Sequence, residues 1–345
     1  MAVTSKPTVL VTGASGFIAM HCVLQLVEQG YRVRGTLRSL AREDHLRKVF
    51  SEKVQIDGRL EFVQADLTKD DGWESATDGC EYVLHVASPF PSVAPENEDD
   101  LIIPAREGTL RVLKAAQVSG VRRVVLTSSV VAIWQGHTNY DKTFDESNWS
   151  NLQGEIDAYA KSKTIAEQAA WEFIRKQDSA TSMELSVINP GFVLGPLMDG
   201  THIGTSADTI RKIMIGAYPG NPNYMLTLVD VRDVASAHLI AMTTPSANGN
   251  RYLCAVESIW FVEMAQILSR NFANRGYKIS TRKIPDFLTR LFSYVDKSAR
   301  GIVNDLGHEI RFSNQRIIQD LNWKPRSAEE AIVAMAESLI QHGLV

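Results

Sequence analysis

Short apolar runs alternate with amphipathic stretches through the first half of the chain. The runs at 8–11, 31–37, 60–63, 82–86, 124–127 and 185–188 are rich in Val, Leu, Ile and Tyr and predict strands. Between them, apolar residues recur at helical spacing. Phe17, Ile18, Val23, Leu24 and Val27 follow the first run, and Leu40, Leu46, Val49 and Phe50 follow the second. A short helix over 73–78, a helix over 101–119 and a long one over 158–176 complete the alternation. The run Tyr82-Val83-Leu84-His85-Val86 is apolar at nearly every position, the pattern of a strand covered on both faces. This predicts an α/β fold with a doubly wound parallel sheet. Asn189-Pro190-Gly191 is expected to break the sixth strand.

Beyond about residue 192 the alternation weakens, and loops rich in Gly, Pro and Asn occupy 195–204 and 218–223. One more strand is expected at 226–229. A helix follows over 230–242, with Asp230 or Asp233 as its cap, and further helices at 261–270, 285–292 and 328–341. The expected organisation is a Rossmann domain over 1–191, to which about 226–250 also belongs, and a smaller, mostly helical lobe over 192–345. Ligands in such sheets bind over the carboxyl ends of the strands, where the second lobe is placed to close.

Composition narrows the possible partners. The 345 residues are 44% hydrophobic and 22% charged, with a net charge of −4, so there is no electrostatic footprint for nucleic acid or an anionic membrane. No apolar stretch approaches the roughly 18 residues of a membrane span. No apolar run precedes the first strand, so no signal peptide is expected. Cys22, Cys80 and Cys254 are far apart and suggest neither a disulfide framework nor zinc. The eight histidines lack metal-ligand spacing, so no metal is expected. The expected location is cytoplasmic, with a small molecule as partner.

The stretch Val9 to Ala19 carries the first chemistry. Strand, glycine turn and helix make a phosphate cradle: Gly13 for the sharp turn, Gly16 for close backbone approach, and Ala19 small enough for the helix to sit on the strand. Thr12, Gly13, Ser15, Gly16, Phe17 and Ile18 are the candidate cofactor contacts here. A site preferring NAD usually has an acid after the second strand. Here the segment reads Gly35-Thr36-Leu37-Arg38-Ser39, and Arg38 stands where a 2′-phosphate would lie, with Ser39 and Arg42 as possible helpers. The cofactor expected is NADP(H). Asp66, followed by Leu67 at the end of strand three, is placed either to accept from the adenine amino group or to cap Thr68 and Lys69. Ala87 and Ser88 end strand four, where backbone passes the cofactor.

A second constellation follows. Tyr159 and Lys163 are i and i+4 on one helix face. An ammonium there favours phenolate and is expected to lower the tyrosine pKa, suiting it to exchange a proton with a carbonyl oxygen. Strand five ends in Thr127-Ser128-Ser129, whose hydroxyls are placed to hold the same oxygen. No G-x-S-x-G elbow is present for hydrolysis.

TGASGFIA (12–19), HVASP (85–89), LTSS (126–129), YAKSK (159–163), NPGFVLGP (189–196) and VDVRDVA (229–235) resemble the extended branch of the short-chain dehydrogenase/reductase superfamily over nearly the whole chain. Within it the chain is most similar to the dihydroflavonol 4-reductase, cinnamoyl-CoA reductase and yeast-type methylglyoxal and ketone reductase group. The resemblance implies an NADPH-dependent carbonyl reductase with Ser129 orienting the carbonyl, Tyr159 as acid/base and Lys163 as its ribose-binding partner. The serine of the family looks like the second of the pair, which favours Ser129 over Ser128. Pro190 and Gly191 resemble the loop beside the nicotinamide. Trp134 stands where plant dihydroflavonol reductases carry an asparagine. An indole has one donor and no acceptor, so an apolar or aromatic wall is expected and a general ketone or aldehyde substrate is favoured over a flavonoid. The candidate pocket residues are Phe90, Trp134, Phe192, Val193 and Tyr224. Two alternatives keep their place: a nucleotide-sugar epimerase, dehydratase or hydroxysteroid-type dehydrogenase, and a non-catalytic NADP(H)-sensing protein. The long helix over 101–119 could serve a dimer, so a monomer or homodimer is expected.

Overall fold

The computed structural model describes residues 6–88, 97–178, 183–201, 203–294 and 301–345; Phe90 lies outside them. In chain order the first half runs β1 (Thr8–Val11), α1 (Phe17–Glu28), β2 (Arg32–Leu37), α2 (Glu43–Ser51), β3 (Leu60–Gln64), α3 (Trp73–Thr77), β4 (Cys80–His85), α4 (Asp99–Val118), β5 (Arg123–Thr127), α5 (Val131–Trp134), β6 (Thr143–Phe144), α6 (Ala158–Arg175) and β7 (Glu184–Pro190). The second half runs β8 (Phe192–Leu194), α7 (Thr205–Met214), β9 (Met225–Asp230), α8 (Val231–Thr243), β10 (Arg251–Cys254), β11 (Glu257–Trp260), α9 (Phe261–Phe272), α10 (Asp286–Phe292), β12 (Arg311–Phe312), α11 (Gln315–Leu321) and α12 (Ala328–Gln341).

The main sheet has the order β10-β7-β5-β4-β1-β2-β3, and every pairing in it is parallel. Side-chain alternation divides each strand between two cores. Val9 and Val11 face α1 and α8, whereas Leu10 faces α4 and α6. Val125 likewise goes with the first core and Val124 and Leu126 with the second. The near-continuous apolar runs therefore come from burial on both faces. Order reverses beside β1, so the carboxyl ends of β1 and β4 border the crevice where such folds bind ligands.

The second lobe has its own core, built from α7, α9, α12 and a small sheet of order β11-β9-β8. In that sheet β8 and β9 are parallel, and β9 and β11 antiparallel. The structure differs from the sequence expectation at several elements, and besides the short α5, β6, β8, β11, β12 and α11 three differences matter most. Strand six continues through Asn189 and Pro190, which pair with Leu253 and Cys254 of β10. Residues 251–254 form a seventh strand beside β7. Residues 205–214 form α7, whose apolar face meets the second core.

Arg123, at the start of β5, shows how tightly the sheet is tied to its helices. It is 1% exposed, and its guanidinium donates to the carbonyls of Ala241 (2.7 Å), Met242 (3.3 Å) and Thr244 (2.5 Å) at the C-terminal end of α8. Its charge is met by Glu184 at 2.6 Å. Among the described residues no helix is long and apolar enough to cross a membrane.

Candidate active site

β1 leads through buried Thr12 into the glycine turn. Gly13 has φ +65°, and a Cβ there would lie 2.9 Å from the Cβ of Ala87. The turn is braced by β2: the Gly13 N–H donates to Thr36 Oγ1 at 2.9 Å and the Ala14 N–H to the Thr36 carbonyl at 2.9 Å. It is also braced by the end of β4. Thr12 Oγ1 accepts the Ala87 N–H at 2.9 Å and lies 2.9 Å from His85 Nδ1. Ser88 follows, half-buried. Gly16 is the N-cap of α1 and carries no capping side chain, so no side chain caps the first turn, which includes the N–H groups of Phe17 and Ile18 and follows Ser15. A turn that excludes side chains, in front of an uncapped helix start, fits a pyrophosphate.

Arg38 is exposed at the end of β2. Ser39 accepts the Ala41 N–H at 3.3 Å, and Arg42 reaches across to the second lobe, donating to Asp199 (2.9 Å) and Thr201 (3.0 Å). Of the two readings of Asp66, the cap is formed: Oδ1 accepts from both the N–H and the hydroxyl of Thr68 at 2.9 Å. Those bonds, with help from Arg38, hold its carboxyl below the usual range. Leu67 packs on α4 at Gly108.

The end of β5 separates its three hydroxyls. Thr127 lies 2.7 Å from His238 Nε2, and Ser128 donates to Glu167 at 2.6 Å. Ser129 instead hydrogen-bonds Tyr159 and accepts the Val131 N–H at 3.3 Å. α6 starts at Asp157, whose Oδ1 caps the Ala160 N–H (2.8 Å) while Oδ2 accepts from Gln135 (3.1 Å). One turn on from Tyr159, Lys163 Nζ lies 5.8 Å from the phenol ring centroid. The expectation of a lowered tyrosine pKa is not met. Burial pushes Tyr159 up to about 12 against the Ser129 hydrogen bond, and burial pushes Lys163 down to about 8 against the pull of Glu167. Desolvation disfavours both charged forms, so an ammonium one turn away does not prevail. His85 is likewise pushed down to about 3 by burial and by Lys163, and is neutral.

Pro190 is buried at the end of β7, and at Gly191 a Cβ would collide with the Thr227 carbonyl oxygen, so the chain enters β8 through glycine. Phe192 and Val193 open β8, and Tyr224 precedes β9; all three are half-buried. Trp134 is 4% exposed and packs with Val130, Phe144 and Leu253. Its ring centroid is 6.3 Å from that of Tyr140, which stacks on His308 at 4.3 Å. Sequence reasoning missed two features. Asp305, buried and hydrogen-bonded to Tyr140, is pushed up to about 7 by burial and by Asp157. The other is Glu167, whose i+4 spacing from Lys163 is visible in the sequence but whose burial is not.

A seven-stranded doubly wound sheet with a glycine cradle after β1 defines a dinucleotide-binding protein of Rossmann architecture. The chain belongs to the NAD dependent epimerase/dehydratase family, whose model matches residues 9–255. It is 36% identical to cinnamoyl-CoA reductase 2 of Medicago truncatula, over 97% of this chain and 92% of that protein. It is 33% identical to the NADPH-dependent methylglyoxal reductase GRE2 of Saccharomyces cerevisiae, over 77% of this chain and 82% of the relative. The crystal structure of yeast methylglyoxal/isovaleraldehyde reductase Gre2 complexed with NADPH superposes with a TM-score of 0.80 at 28% identity, covering 98% of this chain and all (100%) of that one.

Proposed function

We propose that the protein is an NADPH-dependent carbonyl reductase acting on ketones or aldehydes, with Tyr159 delivering the proton to the carbonyl oxygen. The observation that carries this reading is the Ser129–Tyr159 hydrogen bond beside the glycine cradle, with Lys163 buried one turn along α6. The bound dinucleotide supplies the hydride. Ser129 and the phenol hold the carbonyl oxygen between them, and a phenol with its pKa near 12 arrives protonated, as reduction requires. Lys163 binds the ribose and steadies the phenolate left after proton transfer. Gly13, Gly16 and the start of α1 hold the pyrophosphate, Arg38 the 2′-phosphate, and Asp66 and Leu67 border the adenine. Ala87, Ser88, Pro190 and Gly191 flank the rest of the cofactor.

On this reading Trp134, Phe192, Val193 and Tyr224 line the substrate side. The aromatic wall of Trp134 and Tyr140 favours an apolar carbonyl compound over a polyhydroxylated one. We further propose a cytoplasmic protein, a monomer or homodimer, which light scattering distinguishes. Tyr159→Phe is expected to abolish NADPH oxidation against a panel of diketones, aryl ketones, aldehydes and keto esters while retaining NADPH binding. Undiminished turnover would sink the assignment. Tightly held NAD in the purified protein would favour an epimerase instead.

A further inference from the structure

Behind the Ser129–Tyr159 pair lies a buried polar network centred on Glu167, and nothing in the mechanism above uses it. Glu167 follows Lys163 by four residues, as Lys163 follows Tyr159, so the three share one row of α6. Glu167 is 1% exposed. Its carboxylate accepts from Ser128 Oγ (2.6 Å), Asn189 Nδ2 (2.8 Å), Arg251 Nη2 (3.1 Å) and Trp171 Nε1 (3.2 Å), and Arg251 Nε lies 2.7 Å from Oε1. Asn189 Nδ2 also donates to the Ser129 carbonyl at 3.1 Å. Arg251 is held in turn by the Asn148 carbonyl (2.8 Å) and by stacking on Trp149 at 3.7 Å. One carboxylate thus joins the ends of β5 and β7 and the start of β10 to the helix that bears Tyr159 and Lys163.

A buried ion pair of this kind is weak grounds for stability, since well-packed apolar side chains often do as well. What apolar packing cannot do is put a negative charge one turn from a buried ammonium. We propose that Glu167 is a positioning residue for the reaction: its carboxylate keeps Lys163 charged and, through Ser128 and Asn189, fixes the backbone that presents Ser129 to Tyr159. This rests on the reading of Tyr159 as proton donor and Lys163 as its partner. Burial drives Lys163 toward its neutral form, and Glu167 opposes that shift. The other groups around it do not replace this charge. His85 from β4 is neutral, Tyr159 on the same helix is protonated, Arg251 from β10 is paired with Glu167, and Glu98 before α4 is taken by Lys161 at 2.6 Å.

The test compares Glu167→Gln, Glu167→Asp and Arg251→Gln in the full-length protein. Two readouts are used: kcat against pH with NADPH and a ketone, and the Lys163 titration by NMR of 13Cε-lysine-labelled protein, assigned with Lys163→Arg. Residues four apart on a helix stand about 5–6 Å apart at Cβ, and loss of an opposite charge within about 4–6 Å moves a pKa by about one unit or more. In E167Q the alkaline limb of kcat and the Lys163 titration are expected to move together to lower pH by about that much. E167D keeps the wild-type limb even if kcat falls. R251Q disturbs the same network but leaves the carboxylate uncompensated, so its limb moves to higher pH. A purely structural role predicts lower kcat in both charge variants with both titrations unmoved, and that result overturns the proposal. So would shifts of E167Q and R251Q in the same direction. If E167Q does not fold, E167D and R251Q decide by the same criterion. If the wild-type protein turns over no carbonyl compound, it is the proposed function that fails; the NMR titration still tests the charge effect of Glu167.

Discussion

Gly13→Ala tests whether the cradle is as tight as the structure makes it. An L-residue at φ +65° pays about 1–2 kcal/mol in backbone energy. The new Cβ would also stand 2.9 Å from the Ala87 Cβ and 3.3 Å from its Cα, against the about 3.5–4.0 Å of an unstrained carbon contact. Ala87 cannot simply retreat, because its N–H is held by Thr12 Oγ1 at 2.9 Å. Overpacking of this sort adds about 1–3 kcal/mol, so the total loss is about 2–5 kcal/mol. Gly30→Ala provides the internal control: its φ is +85°, but a Cβ there meets nothing within 4 Å. It should lose the backbone contribution alone and bind NADPH normally. Thermal unfolding with and without NADPH reads both effects. Saturation at a hundred times Kd stabilises the native state by about 2.7 kcal/mol, and a tenfold loss of affinity removes about 1.4 kcal/mol of that. G13A is expected to melt below G30A and to lose about tenfold or more in NADPH affinity by fluorescence titration. A G13A protein that melts with G30A and binds NADPH like the wild type would refute the reasoning.

Three further outcomes are expected. Arg38→Ala should raise Kd for NADPH about tenfold or more while leaving that for NADH nearly unchanged, since only the former has a 2′-phosphate to meet the guanidinium; equal losses for both would remove Arg38 from that role. Arg123→Met should destabilise by about 3–5 kcal/mol, measured by urea unfolding, because it leaves the α8 carbonyls and Glu184 without their donor; an unchanged midpoint would contradict this. Acidification should weaken the fold between about pH 6.5 and 4. His21 and His238 are pushed by burial down to about 4 and His85 to about 3, so the unfolded chain takes up these protons first. Asp305, raised to about 7, works in the opposite sense over the same range, as do Glu146 and Asp233, which burial raises by smaller amounts, but the three histidines together shift further. A urea midpoint at pH 5 equal to or above that at pH 7 would be the contrary result.

Local pattern alone carried much of this protein. Both-face burial writes itself into apolar runs, so β1 to β5 and the helices between them were legible. The cradle, the missing acid after β2 and the Tyr159–Lys163 spacing are all short-range features that a linear reading can see. β10 was not legible. Its four residues begin with Arg251, whose charge looks like a surface residue until Glu167, 84 positions earlier in the chain, is found against it. α7 was hidden by the Gly-rich loop before it, and its apolar face has meaning only against the second core.

At the site, the sequence shows Ser128 and Ser129 after a strand and Tyr159 and Lys163 on one helix face, but tertiary structure decided their partners. Ser128 and Ser129 are adjacent in sequence, and only the packing of α6 on the sheet shows that one faces Glu167 and the other Tyr159. The direction of the Tyr159 shift was likewise a three-dimensional matter. Spacing along a helix reports that a lysine is near, whereas the pKa depends on how much water burial removes from both groups. Pairing and solvation are sums over residues far apart in the chain, and no local window contains them.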